Sequence, residues 1–107
     1  MRIVLVALTL LLLSSSAFAD MADELDDFIG YTIIDSKTIK GWYDDDEREE
    51  GAFKGCKHGR VIVFTDNKIL TCAEYGYQYA YRPTAVILSN GSQYKMVVGD
   101  TVYNMRR

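Results

Sequence analysis

The chain is poor in histidine and cysteine, which much nucleophilic and metal catalysis uses. It has one histidine, His58, and two cysteines, Cys56 and Cys72, in 107 residues. It contains no G-x-S-x-G elbow, no glycine-rich phosphate loop and no H-E-x-x-H pair, so the common hydrolase, nucleotide and metalloprotease signatures are excluded. Positive charge is scarce: 12 Lys and Arg stand against 15 Asp and Glu, a net charge of −3. That balance argues against nucleic acid as a partner, and the terminal Arg106-Arg107 pair is too short to reverse it. Proline occurs once, as Pro83, and marks a turn.

Long apolar runs are missing too, apart from Ile3–Leu13. That run follows Arg2 and precedes three serines and the triplet Ala17-Phe18-Ala19. It has the length of a signal-peptide core and is too short to cross a bilayer. The expectation is a signal peptide over residues 1–19, cleaved after Ala19, and a single β domain over 20–107. No membrane span is expected after cleavage. The expected location is periplasmic or secreted.

A domain this small has a marginal core, and exported domains often add a disulfide. Cys56 and Cys72 suit that role, closing a loop of about sixteen residues worth roughly 3 kcal/mol. If they pair, residues 51–59 cannot form a regular strand against 60–65 and must fold back as a loop. A C-x-H…C metal site (Cys56, His58, Cys72) and a Cys–His catalytic pair are the alternatives, but neither spacing matches a common pattern. No cofactor is expected. The acidic run Asp44, Asp45, Asp46, Glu47, Glu49, Glu50 lacks the spaced ligands of an EF-hand, so residues 44–55 read as a solvated loop.

Met21, Leu25, Phe28 and Ile29 fall on one helical side, and Gly30 ends a short N-terminal helix. From Tyr31 the pattern is β. Asp66-Asn67, Asn90-Gly91 and Gly99-Asp100 read as hairpin turns. Their registers collect Ala85, Ile87, Tyr94, Met96, Val98, Tyr103 and Met105 on one core face. The fold class is mainly β: a small antiparallel, partly open barrel of the OB or SH3-like kind with a short N-terminal helix.

Residues 74–83 read EYGYQYAYRP, with Tyr75, Tyr77, Tyr79 and Tyr81 at every second position. In an extended strand they share one face. They either wall the core or rim an open groove. With Arg82-Pro83-Thr84 as a tight loop, Tyr81 opposes Ala85 and Tyr79 opposes Ile87, which puts that pair inside. Tyr75 and Tyr77, beyond a bend at Gly76 and beside Glu74, are the more exposed pair. A straight strand from Lys68 to Arg82 would be roughly 50 Å long, so Gly76 is where it turns a corner.

The runs F-x-G-C (Phe53, Gly55, Cys56), G-R-x-I-x-F (Gly59 to Phe64), Cys72, Y-x-Y-x-Y-A-Y-R-P (Tyr75 to Pro83) and K-M-x-V…Y (Lys95 to Tyr103) resemble a group of small exported bacterial proteins of unknown function. The resemblance implies export and a shared fold but assigns no catalytic residue. The expected function is therefore binding or structural, in the cell envelope. The expected partner is an envelope protein, a peptide or a glycan, and the candidate site is Tyr75, Tyr77, Tyr79, Tyr81 and Glu74. The alternative is a small periplasmic hydrolase pairing Glu74 with a carboxylate of the acidic loop.

Overall fold

The computed structural model describes residues 20–107. The expected signal peptide lies outside them. The described residues up to Gly30 belong to one unit, and Tyr31–Arg107 form another. In the first, helix α1 spans Asp20–Asp26 and a turn carries the chain to Gly30, whose φ is +85°. Met21, Leu25 and Ile29 are exposed.

The second unit is a closed antiparallel barrel. Its strands are β1 (Thr32–Tyr43), β4 (Val61–Phe64), β5 (Ile69–Cys72), β9 (Thr101–Arg106), β8 (Tyr94–Val98) and β7 (Thr84–Ser89), named in ring order. The ring closes through β1, which pairs with β7 along Thr32–Thr38 and with β4 along Ile39–Tyr43. Register shifts at Ile33/Asp35 and Ile39/Gly41 let this one strand turn the corner. The corner therefore lies in β1, not at Gly76 as expected. A short strand β2 (Arg48–Glu50) folds back on β1. Gly41 permits this, because a Cβ there would sit 2.5 Å from the Glu49 carbonyl oxygen. β3 (Ala52–Phe53) and β6 (Ala80–Tyr81) form a separate two-stranded ribbon.

The interior follows the expected face. Ala85, Ile87, Met96, Val98, Tyr103 and Met105 are buried, and Tyr94 packs against them half-buried. Val98 opposes Thr101 and Met96 opposes Tyr103, as the Gly99-Asp100 turn implies. At Asn90-Gly91 the loop is longer than expected. Ser89 opposes Tyr94, and the Asn90 side-chain oxygen accepts from the Ser92 and Gln93 amides. Ile87 thus meets Met96 instead of Tyr94. The slip is two residues, so no side chain changes face.

At Asp66-Asn67 the slip is one residue. Phe64 accepts from the Asn67 amide and donates to Lys68, and Asn67 is left-handed at φ 66°. This is a three-residue loop. Ile62 consequently opposes Leu70, and Val63 opposes Ile69. Leu70 and Cys72 point inward with Ile62 and Phe64, while Ile69 points out.

The segment read as a solvated acidic loop is only partly one. Ala52 and Phe53 are fully packed, and Phe53 meets Tyr103 edge-on at 5.6 Å. Asp44 organises the hairpin before them: its carboxylate accepts from the Asp46 and Glu47 amides, each at 3.0 Å. It also pairs with Arg60 at 3.2 Å, and the guanidinium stacks on Trp42 at 3.9 Å. The Glu47 amide, then the Asp46 amide and Arg60, hold the Asp44 carboxyl below the usual carboxylate range against the cost of burial. A group depressed in this way stabilises the fold above its ordinary pKa, and the contribution is lost as pH falls through the lowered value. Asp44→Asn should therefore flatten the fall in melting temperature below about pH 4. A variant with the acid limb of the parent would show that Asp44 contributes nothing there.

Candidate functional site

Residues 76–81 lie beside residues 51–56, bridged at Gly76 and paired as strand at Ala80–Tyr81. Cys56 and Gly76 exchange two backbone hydrogen bonds, at 2.7 and 2.9 Å, and Ala52 opposes Tyr81. The strands touch closely between these points. A Cβ on Gly55, whose φ is +79°, would lie 2.0 Å from the Gly76 carbonyl oxygen, so only glycine fits. The Cys56–Cys72 disulfide, with Cα atoms 5.5 Å apart, ties this ribbon to the end of β5. Residues 51–59 form no strand against β4, as the disulfide requires. Both cysteines are oxidised, and His58 is exposed. The thiol alternatives at His58 are thereby removed. Among the described residues no group of three or more His, Cys, Asp or Glu is placed to hold a metal.

The ribbon's inner face is Gly76, Gln78 and Ala80. A Cβ on Gly76 would lie 3.0 Å from the Tyr103 ring. The Tyr103 hydroxyl donates to Gln78 Oε1 at 2.7 Å, and Gln78 Nε2 donates to the Val98 carbonyl at 3.1 Å. Burial pushes the Tyr103 phenol pKa up. Gln78 therefore satisfies the one polar atom of a buried aromatic, and it was not singled out from the sequence. The signal was there: between Glu74 and Arg82 it is the one hydrogen-bonding side chain on a face otherwise made of glycine and alanine.

The outer face is the four tyrosines. Tyr75, Tyr77, Tyr79 and Tyr81 are 76%, 70%, 62% and 73% exposed. The expected burial of Tyr79 and Tyr81 is overturned. Tyr81 pairs with β3 instead of Ala85, and Ala85 pairs with Lys37 of β1. The one-residue slip at Asn67 completes the reversal: the tyrosines do continue the Ile69 face, but that face is the outside. Along an extended chain the rings recur about every 6.8 Å.

Glu74 adjoins this face but is committed elsewhere. Its carboxylate accepts from the Asn104 amide at 3.0 Å and from Asn104 Nδ2 at 3.2 Å. It anchors the start of the ladder to β9. Asp44, in the acidic hairpin, is engaged by its own turn and by Arg60. Lys54, beside the ladder, pairs with Glu49 at 3.0 Å.

Among the described residues, the depressions at the acidic hairpin and the barrel are not lined by the four tyrosines. One follows the acidic hairpin Tyr43–Arg48, and another, of about 300 Å³, lies at a barrel mouth among Ile34, Lys37, Ile69 and Arg107. The tyrosine surface is thus a platform, not a cleft. It is suited to a flat or extended partner and not to an enclosed small molecule. Comparison with family models, curated proteins and solved structures finds no match.

Proposed function

We propose that the chain is an exported binding domain of the cell envelope and that the four-tyrosine face is its contact surface. The observation that carries this reading is the exposure of all four rings on one side of a ribbon held by a disulfide, Gln78 and the Gly55–Gly76 contact. Four tyrosines exposed to this degree present on the order of 500 Å² of aromatic surface. That matches the largest apolar patch of an ordinary monomer, which is often functional. Tyrosine is a rigid contact residue with an apolar body and a polar tip, and it is enriched where proteins bind. The partner is an envelope protein, peptide or glycan. The disulfide supports an oxidising compartment.

The test replaces Tyr75, Tyr77, Tyr79 and Tyr81 with serine together and probes envelope glycans and envelope extracts. Each ring is exposed, so each change should alter stability by no more than about 0.5 kcal/mol. Binding should be lost. Retained binding by a folded variant would end this reading. Intact mass of the exported protein should show Asp20 at its N-terminus, and a soluble form still carrying Met1 would remove the export proposal.

A further inference from the structure

The tyrosine ribbon has a second surface besides its rings, namely its backbone edge. Gly76 directs both backbone groups at Cys56, and Arg82 donates to the Gly51 carbonyl at 2.8 Å. The even-numbered residues of this stretch therefore turn their N–H and C=O groups toward residues 51–56. Successive residues of an extended strand alternate in this respect. Tyr75, Tyr77, Tyr79 and Tyr81 turn theirs to the opposite edge. Outside the strand ladders, no backbone hydrogen bond among the described residues uses a group of these four. The Arg82–Gly51 bond makes Ala52–Tyr81 the non-hydrogen-bonded kind of antiparallel pair. An edge of this kind is a template for another strand.

The sequence of the edge says which strand. Residues 74–82 read Glu-Tyr-Gly-Tyr-Gln-Tyr-Ala-Tyr-Arg. Reversed about Gln78, every tyrosine meets a tyrosine, glycine meets alanine, and Glu74 meets Arg82. Arg82 is exposed and makes no ion pair among the described residues. The run matches its own reversed copy in sequence and carries opposite charges at its two ends, Glu74 at a bend and Arg82 at a φ of 40°.

We infer that two copies of this chain pair antiparallel through the tyrosine edge, with Gln78 opposite Gln78 of the other copy. Tyr75 then faces Tyr81 and Tyr77 faces Tyr79, twice each by symmetry. Each tyrosine pair exchanges two backbone hydrogen bonds, which uses every free group on both edges. A shift of two residues sets a tyrosine opposite Ala73 or Pro83 and separates Glu74 from Arg82. A shift of one brings up groups already bonded within the ribbon. The contact is isologous and closes at two copies. It leaves the rings uncovered and joins two ladders into one wider platform, so it goes beyond the contact role proposed for a single face.

Analytical ultracentrifugation of the exported protein over a wide concentration range should show a monomer–dimer equilibrium. Arg82→Glu sets like charges together at both ends of the pairing and should weaken the dimer about tenfold. Glu74→Arg should do the same. Mixing the two variants restores opposite charges at both ends, so the mixed dimer should form with the parent's strength while neither variant dimerises well alone. Photo-oxidative cross-linking should join Tyr77 to Tyr79 and Tyr75 to Tyr81 between copies. A monomer at every concentration, a dimer indifferent to both charge reversals, or intermolecular cross-links in another register would overturn the inference. A monomer that still binds an envelope ligand through its rings overturns the dimer and leaves the contact reading intact.

Discussion

Replacing Phe53 with alanine should cost about 3–5 kcal/mol, the range for truncating a fully buried aromatic. Phe53 has no exposed surface, and its ring meets Tyr103 at 87°. It belongs to a stretch whose acidic start suggests open solvent. The strand β3 is only two residues long, yet both of its side chains are buried. A domain of this size has a total stability toward the lower end of about 5–15 kcal/mol. The variant should therefore be largely unfolded or close to it. Urea unfolding checks this, with Tyr79→Ala as the exposed aromatic control. A loss below about 0.5 kcal/mol, the scale of a surface substitution, would put Phe53 outside the core.

Loss of the disulfide should have the next largest effect. Cys56 and Cys72 are 16 positions apart in sequence. On the chain-entropy account the cross-link stabilises by roughly 3 kcal/mol. Replacing both cysteines with alanine should lower the melting temperature markedly. The loss has a local signature as well, because Cys56 carries the hydrogen bonds to Gly76. Amide exchange at Gly76 should rise more than at Met96, deep in β8. Two free thiols in the exported protein, or an unchanged melting temperature in the double variant, would contradict this.

Much of the barrel is legible residue by residue. The face made by Ala85, Ile87, Met96, Val98, Tyr103 and Met105 follows from alternation and from turns that slip by none or by two. Such slips preserve faces. The pairing of Cys56 with Cys72 follows from composition and from the expectation of export, and it correctly forbids a strand over residues 51–59 against β4.

The candidate site is legible only up to a sign. Period-two spacing puts Tyr75, Tyr77, Tyr79 and Tyr81 on one face and links that face to Ile69. Which side is covered depends on Asn67, whose left-handed backbone adds one residue to a loop, and on Phe53, Gly55 and Gly76, which bring two distant segments into contact. Asn67 carries a weak local signal, since Asp-Asn supports loops of either length. The pairing of 51–56 with 76–81 carries none, because it joins segments whose own alternation is satisfied by either side. Alternation is a property of the extended backbone and needs only neighbours in sequence. Inside and outside are set by what packs against the strand, and here that was decided by a glycine crossing, a disulfide and the Gln78–Tyr103 hydrogen bond.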